Sequence, residues 1–257
     1  MDKASSEQVV PPALNIILRT CDHSSVHNRE RFIKVPKREL IARCLRSLIA
    51  SMNLCPESLV LRILDDHSSA ETLALIRDSI ARSFHPAEIV PLRETGNPAS
   101  LAESYRMADQ YKNLIYFVED DYLHYPGALP EMLAAYRFFS AKLGSAEVAI
   151  APYDSPWNYY EGADVCRIVP GQGRPWRTHT KTTATVLITP KTLATFRSTF
   201  DALSRYGIDP SVTEASTINQ IWKRGVTLFT PIPALAFHME DTPPVYEDWK
   251  PLWKMYK

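Results

Sequence analysis

Residues 113–122 read NLIYFVEDDY, an apolar run that ends in three consecutive acids, Glu119, Asp120 and Asp121. The run has the length and composition of a buried strand, so the acids are predicted at the carboxyl end of that strand. Ligands of open α/β sheets bind outside the carboxyl ends of the strands. Adjacent carboxylates repel one another unless a cation lies between them, and oxygen-only clusters suit Mg²⁺ or Mn²⁺. The stretch therefore indicates either a divalent-metal site or a solvated turn after a strand.

Strand-like and helix-like segments alternate along the first half of the chain. The helical segments carry apolar residues at helical spacing, whereas the strand segments are short and aliphatic. Strands are predicted at Leu14–Thr20, Leu59–Leu64, Glu88–Leu92 and Asn113–Glu119, and helices at Arg38–Met52, Ser69–Phe84 and Asn97–Tyr111. This alternation predicts an α/β fold with a mostly parallel central sheet and helical crossovers.

The second half of the chain is less regular. Helices are predicted at Leu129–Leu143, Pro190–Leu203 and Glu214–Arg224, and strands at Val148–Pro152, Thr182–Thr189 and Val226–Ile232. The intervening segment Tyr153–Lys181 is rich in aromatic and turn residues, and loops of this length are often functional. Its cations, among them Arg177 and His179, are candidates for binding phosphate groups of a ligand, and its aromatic residues, including Trp176, for stacking on a ring of that ligand. The alternative is a loop that packs on the core.

The composition narrows the range of partners. Of 257 residues, 45% are hydrophobic, which suffices for a sizeable core, and Lys plus Arg equal Asp plus Glu at 29 each. A neutral chain of this kind lacks the broad basic surface that duplex nucleic acids require, so a nucleic-acid partner is not expected. There are only 8 glycines, and neither a P-loop nor a G-x-G-x-x-G motif is present. A nucleotide, if bound, is therefore held by other means.

The cysteines and the two ends of the chain suggest a cellular setting. The four cysteines are scattered, without a C-x-x-C pair, and the first twelve residues lack the pattern of a signal peptide. We therefore expect a cytoplasmic protein. The last segment, Tyr246–Lys257, combines aromatic residues with lysines. Such a tail either docks on its own domain or a partner subunit, or makes peripheral contact with a membrane.

Several of these segments, in this order, resemble the GT-A glycosyltransferases of the family-2-like group, which use nucleotide-diphosphate sugars. The resemblance covers roughly Leu14 to Glu240. It is carried by IILRT at 16–20 with RCLRSL at 43–48, LDDHSS at 64–69, the acids at 119–121, the segment 214–225, and AFH at 236–238. It implies a Rossmann-like three-layer sandwich in one domain, residues 14–240. Within it, residues 14–125 would bind the nucleotide sugar and 126–240 the acceptor, with a flexible segment 1–13 and a tail 241–257 outside.

The resemblance also implies a metal site. Glu119–Asp121 lies where this group has its DXD motif, which holds Mn²⁺ or Mg²⁺ against the donor diphosphate. Asp121 is then the most direct ligand, Glu119 a second one and Asp120 a ribose contact. His238 matches a later metal-ligand histidine of the group. The alternatives are a helix-capping role for Asp120 and a buried, hydrogen-bonded imidazole for His238.

Four residues at the ends of the first two strands are candidates for the nucleotide itself. Asp65 and Asp66 match the acid of the group that contacts base or ribose, and a UDP-sugar is the donor we expect. Carboxylates accept hydrogen bonds from imide N–H and hydroxyl groups, although capping of the next helix is the alternative. Arg19 and Thr20 end the first strand, where the base would stack, or are ordinary surface residues.

Transfer of a hexose to an acceptor hydroxyl with inversion needs a general base. Glu214 matches the base of the group and is expected at the start of a helix, with Asp209 as the alternative. This chain departs from the group's motif because it has a single acid there and Gln220 where an arginine is usual. Two other functions stay open: a nucleotidyltransferase, and a non-catalytic relative that binds a sugar or a partner. The acceptor could be a glycan, a lipid-linked molecule or another compound.

Overall fold

A mixed β-sheet forms the centre of the molecule, seen in a computed structural model that describes residues 13–23, 33–159, 165–182, 184–239 and 248–257. The strands of the described residues are β1 (Leu14–Thr20), β2 (Leu59–Asp65), β3 (Ala87–Pro91), β4 (Leu114–Glu119), β5 (Tyr122–His124), β6 (Val148–Ile150), β7 (Ile168–Pro170), β8 (Pro175–His179), β9 (Val186–Ile188), β10 (Thr227–Pro231) and β11 (Ala236–His238). The helices are α1 (Lys37–Met52), α2 (Ala70–Ile80), α3 (Asn97–Ala108), α4 (Ala128–Leu143), α5 (Pro190–Thr195), α6 (Arg197–Leu203), α7 (Ile218–Trp222) and α8 (Lys250–Met255). A short 3₁₀ turn, Pro156–Tyr159, follows β6.

The main sheet has nine strands within the described part of the chain, in the order β3-β2-β1-β4-β9-β6-β10-β8-β7. The pairs β3–β2, β2–β1, β1–β4 and β6–β10 are parallel. Antiparallel pairing places β9 and β8 in the opposite direction to the other strands. The prediction of an α/β fold with a mostly parallel sheet core is therefore confirmed.

Helices cover both faces of this sheet because the central strands are apolar on both sides. Along β1, Ile16 and Leu18 belong to the core beneath α1, α2 and α4, whereas Ile17 belongs to the core beneath α3, α6 and α7. All three side chains are at most 2% exposed. The alternation follows from the two-residue period of a strand and gives the three-layer arrangement.

The register of the sheet brings the predicted polar residues to one edge. Arg19 of β1 lies beside Glu119 of β4, and Thr20 of β1 lies beside Asp65 of β2. These strands are parallel, so their carboxyl ends meet at the same side of the sheet.

A second, two-stranded sheet completes that edge. Strands β5 and β11 pair antiparallel, with Tyr122 opposite His238, and the amide of Met239 donates to the carbonyl of Asp121 at 2.9 Å. Neither strand is among those predicted from the sequence, since each has only three residues and no periodic pattern of its own. This pairing joins the C-terminal part of the chain to the acidic triplet.

Three predicted elements differ from the structure. The predicted helix 214–224 is shorter, because only Ile218–Trp222 is helical and Glu214 lies in the preceding turn. The predicted helix 190–203 is two helices, since Phe196 leaves the helical conformation with φ −109° and ψ 25°. The segment 153–181, predicted as a loop, contains the hairpin of β7 and β8.

The C-terminal tail docks on its own domain through α8. Trp253 and Tyr256 are 9% and 8% exposed and pack in a cluster with Leu40 of α1. The guanidinium of Arg43 lies 4.4 Å from the centre of the Trp253 ring and donates to the Trp253 carbonyl at 2.8 Å. Of the two alternatives for the tail, docking on its own domain is therefore confirmed for α8, and peripheral membrane contact stays a prediction. None of the described helices has the length and apolar character needed to cross a bilayer.

Candidate active site

A cavity of about 160 Å³ opens at the carboxyl ends of β1 and β4, between these strands and helices α3 and α6. All three acids of the triplet line it, together with Arg19, Thr20, Asp66 and Glu214. The lining also includes the apolar or aromatic side chains of Leu101, Leu203 and Tyr206. Most residues that the sequence analysis singled out thus meet in one place.

Glu119 is held by a cation of the protein. Its Oε1 accepts a hydrogen bond from Arg19 at 2.7 Å, and the other terminal nitrogen of Arg19 donates to Asn97 at 2.7 Å. Burial raises the pKa of Glu119, although the Arg19 charge opposes that rise. Arg19 thus links Glu119 to β1 and, through Asn97, to α3. Because its carboxylate is already paired with this cation, Glu119 is poorly suited to be the second metal ligand.

Asp120 is also engaged within the protein. Its Oδ1 pairs with Lys37 Nζ at 2.5 Å, and its Oδ2 accepts from the Thr20 hydroxyl and the Cys21 amide, each at 3.1 Å. These contacts join the start of α1, the end of β1 and the end of β4. A ribose contact by Asp120 would require one of these partners to yield or to share the carboxylate.

Asp121 is the acid of the triplet that points to an added cation. The Nε2 atom of His238 lies 3.4 Å from its Oδ2, while its Oδ1 is buried without a hydrogen-bond partner among the described residues. Burial raises the pKa of Asp121, but the His238 charge and hydrogen bond outweigh burial and bring that pKa to about 2. Asp121 is therefore ionised at neutral pH and retains an unused oxygen.

The donor set fits a divalent ion only in part. No group of three or more His, Cys, Asp or Glu side chains in the described ranges is spaced to hold a metal alone. Asp121 and His238 can supply two ligands, and the orphaned Asp121 Oδ1 marks where an ion would be attracted. Mg²⁺ in phosphate-handling enzymes is commonly bound by one or two protein ligands plus substrate phosphates. The residues therefore fit a metal that the donor's phosphates help to hold.

The two acids at the end of β2 differ in their access to the cavity. Asp66 lines the cavity and is anchored by the Gly96 amide at 2.8 Å and the His67 ring at 3.1 Å. Asp65 accepts from the Ser68 amide at 3.2 Å and is not part of the lining. Ser69 caps α2 by accepting from the Thr72 amide, so capping does not explain either acid. Of the pair, Asp66 remains the candidate for a nucleotide contact.

Glu214 enters the cavity from the turn before α7. Burial raises its pKa to about 7, and the negative charge of Glu119 adds to that rise. Asp209, the alternative base, lies outside the lining and accepts from the amide and hydroxyl of Ser211, which lower its pKa. The structure thus favours Glu214 over Asp209 as a proton acceptor near neutral pH.

Arg177 and His179 are not at the cavity. Strand pairing through β10, β6 and β9 places Thr178 of β8 level with Tyr116, in the middle of β4. His179 is therefore level with the start of β4, and β8 lies four strands from β4, about 19 Å at the usual spacing. Arg177 pairs instead with Asp154 at 3.5 Å. Both residues lie away from the cavity because β8 is four strands from β4 and runs against the parallel strands, and their contact with phosphate groups stays a prediction without support from this cavity.

Other residues of that segment have structural roles as well. Trp176 is fully buried and packs edge-on against Phe139, with ring centres 5.9 Å apart, so it cannot stack on a sugar. Arg174 makes two bonds to Glu131 of α4, at 2.5 and 2.9 Å. These contacts fix the β7–β8 hairpin on the core.

Lys37 and Asn97 are cavity residues that the sequence analysis missed. Lys37 is the first residue of α1, where the helix dipole disfavours a cation unless an acid lies nearby. A lysine at this helix start therefore predicts a nearby acidic side chain, and this was the signal in the sequence that could have identified Lys37 as the partner of Asp120. Asn97 opens α3 after Gly96, whose φ of 100° suits glycine. The start of α3 was predictable from Asn97 and Pro98, but the position of Asn97 beside the acids was not.

Comparisons with known proteins agree with this architecture. No model of a known protein family matches the chain, and no curated protein is similar enough in sequence to match. Among solved structures, S. aureus TarS is 12% identical with a TM-score of 0.51, over 84% of this chain and 34% of that one. The mannosyltransferase PcManGT from Pyrobaculum calidifontis, in complex with GDP-Man and Mn²⁺, is 15% identical with a TM-score of 0.50, over 92% of this chain and 56% of that one. The chain thus spans about a third and about half of these proteins, respectively, and it has the fold of GT-A glycosyltransferases.

Proposed function

We propose that this protein is a glycosyltransferase that moves a hexose from a nucleotide-diphosphate sugar to an acceptor hydroxyl, with inversion. The observation that carries the proposal is geometric: Asp121, whose buried Oδ1 has no hydrogen-bond partner among the described residues, and Glu214 line the same cavity at the carboxyl ends of β1 and β4. The pKa values of the two carboxyl groups are also shifted in opposite directions, down for Asp121 and up for Glu214. Two carboxyl groups kept in different protonation states are typical of acid–base sites. One can remain an anion beside a cation while the other accepts a proton.

The donor would occupy the cavity between β1, β4 and α3. Asp66 and Thr20 offer acceptor oxygens to the nucleoside, since the Thr20 hydroxyl proton is donated to Asp120. Arg19 and Lys37 place two positive charges beside the acidic triplet. Breaking the sugar–diphosphate bond develops negative charge on the leaving nucleotide, and preorganised cations stabilise such charge. The cations are kept in place by Glu119 and Asp120 before the donor arrives.

Asp121 and His238 would hold a Mn²⁺ or Mg²⁺ ion. Such an ion, when bound, acts as a Lewis acid toward the diphosphate. The PcManGT structure was determined with GDP-Man and Mn²⁺, which supports a nucleotide-sugar donor and a metal of this class for the shared fold. A uridine nucleotide remains the donor that the sequence resemblance implies, and guanosine nucleotides belong in the same test.

Glu214 would remove the proton from the acceptor hydroxyl. Its pKa of about 7 matches the operating pH that favours general-base catalysis. The cavity wall near it includes Tyr206 and Leu203, which offer an aromatic and an apolar surface to an acceptor sugar or lipid-linked sugar. Acceptor identity is therefore to be sought with glycans and lipid-linked glycans first.

A panel of UDP- and GDP-sugars tests the proposal by thermal shift and by turnover, each with Mn²⁺, Mg²⁺ or EDTA. We expect metal-dependent stabilisation and slow donor hydrolysis that releases the nucleoside diphosphate, both lost in Asp121→Asn. Asp78→Asn is the matched control, because Asp78 is half exposed on α2 and pairs with Arg46 and Arg82 away from the cavity. Formation of a nucleoside triphosphate and a sugar 1-phosphate when pyrophosphate is added to the same panel would identify a nucleotidyltransferase instead. If no donor and no metal produced either a thermal shift or turnover, the non-catalytic binding protein would be the better interpretation.

A further inference from the structure

The imidazole of His238 packs against two tyrosine rings that also contact each other. It stacks on Tyr122 with ring centres 5.0 Å apart and an angle of 22° between the planes. Tyr153 approaches the same imidazole at 6.1 Å and 70°, and meets Tyr122 edge-on at 6.3 Å. We call Tyr122 and Tyr153 the aromatic clamp.

The backbone alone does not fix the direction of the His238 ring. Strands β5 and β11 place Tyr122 opposite His238, which sets the distance between their Cα atoms. The second side-chain torsion of histidine is broad, so ring orientation depends on neighbouring contacts. The stacked ring of Tyr122 and the steeply inclined ring of Tyr153 together restrict that torsion, and the Nε2 atom of His238 lies 3.4 Å from Oδ2 of Asp121.

Hydrogen bonds of the neighbouring His124 hold Tyr122 and strand β5 in place. The Tyr122 side chain is 2% exposed, and the Tyr122 carbonyl accepts from Nδ1 of His124 at 3.0 Å. With Nδ1 as donor, Nε2 of His124 accepts from the Tyr116 hydroxyl at 2.8 Å. The His124 amide donates to Ser47 of α1 at 2.8 Å. These bonds join β5 to β4 and α1, so the clamp rests on rigid elements of the fold.

We propose that Tyr122 is a positioning residue that preorganises His238 toward Asp121. The inference rests on the proposed function, in which these two residues hold a divalent ion. A site with only two protein ligands gains most from such preorganisation, because little else fixes its geometry. Residues that orient metal ligands typically contribute 10- to 100-fold to metal affinity.

The test measures Mn²⁺ affinity by electron paramagnetic resonance in the presence of UDP or GDP, and the His238 ring by NMR without metal. We expect Tyr122→Leu to weaken Mn²⁺ binding about 10-fold or more, with loss of the ring-stacking shifts of His238. Tyr122→Phe keeps the stacking face and is expected to bind Mn²⁺ like the wild type. This pair separates the ring face from the hydroxyl.

A double-mutant cycle with His238→Ala distinguishes positioning from general damage. If Tyr122 acts through His238, Tyr122→Leu has no further effect on Mn²⁺ affinity in the His238→Ala background. An equal loss in both backgrounds, or wild-type affinity in Tyr122→Leu, would overturn the proposal. If Tyr122→Leu does not fold, Tyr153→Leu is measured in the same cycle. Absence of nucleotide-dependent Mn²⁺ binding in the wild type would instead refute the proposed metal site itself.

Discussion

Replacement of Glu214 by glutamine should stabilise the protein at alkaline pH while abolishing transfer. In the folded protein the pKa of Glu214 rises from 4.5 to about 7, because the side chain is largely removed from water and near Glu119. The folded state is therefore penalised progressively as the pH rises from 4.5 to about 7, and by a constant amount above that range. Glutamine has a similar shape and no charge at any pH, so it carries no such penalty.

The size of the effect follows from that shift. Ionising a carboxyl group whose pKa is raised from 4.5 to about 7 costs about 3 kcal/mol. Glu214 keeps some contact with solvent, so we discount this value to roughly 2 kcal/mol. We expect Glu214→Gln to exceed the wild type in free energy of unfolding by that amount at pH 8, and to differ little at pH 5. Loss of the base should lower transfer to an acceptor by about 10²- to 10⁴-fold.

Urea unfolding followed by circular dichroism at pH 5 and pH 8 measures both stabilities, with equal m-values as the check on comparability. Asp209→Asn is the matched control, because Asp209 is partly exposed and accepts from Ser211, which lowers its pKa. The control should show no gain in stability at pH 8. If Glu214→Gln shows the same stability difference at both pH values, or is less stable than the wild type at pH 8, the reasoning is refuted.

Three further outcomes are expected. Lys37→Met leaves Asp120 without its cation and should lower the free energy of unfolding by about 3–5 kcal/mol. The double variant Lys37→Met/Asp120→Asn should regain most of that loss in urea unfolding. Additive losses in the double variant would contradict the pairing. Trp253→Ala should cost about 3–5 kcal/mol without altering donor KM or binding to anionic vesicles, and a loss of vesicle binding would favour peripheral membrane contact of the tail. Burial lowers the pKa of His124 from 6.5 to about 4, so the contribution of the neutral ring to stability should be complete above pH 6.5 and be lost as the pH falls toward 4. NMR of the ring should show the neutral Nδ1–H form at pH 6. A charged ring at that pH would contradict the hydrogen bonds of His124 that support the aromatic clamp.

The core of the fold was predictable because its strands are simple. β1, β2 and β4 are largely buried, so their sequences read as apolar runs that only Asn15 in β1 and Arg62 in β2 interrupt. The short strands β5, β7 and β11 have three residues each, and no periodic pattern can identify elements of that length. Their pairing depends on tertiary contacts, as does the docking of α8.

The candidate site was predictable only at the strand ends. Acids after β2 and β4 share one edge because the strands are parallel, and that inference needs only the strand order. The neutralising partners were not predictable, since Arg19–Glu119 and Lys37–Asp120 join residues about a hundred and about eighty positions apart. The position of Arg177 and His179 away from the cavity was not predictable, because the reversal of β8 cannot be read from its sequence. The division into residues 14–125 and 126–240 stays a prediction.

The most direct test of the account is the coupling between Mn²⁺ and nucleotide, measured by titration calorimetry on wild type and Asp121→Asn. Two protein ligands make an incomplete site, so Mn²⁺ alone should bind weakly and UDP or GDP should tighten it. By thermodynamic linkage, Mn²⁺ must raise the affinity of the protein for the nucleotide by the same factor as the nucleotide raises its affinity for Mn²⁺. Both effects should vanish in Asp121→Asn. Nucleotide affinity that is identical with Mn²⁺, with EDTA and in Asp121→Asn would contradict a metal-assisted donor site in this cavity.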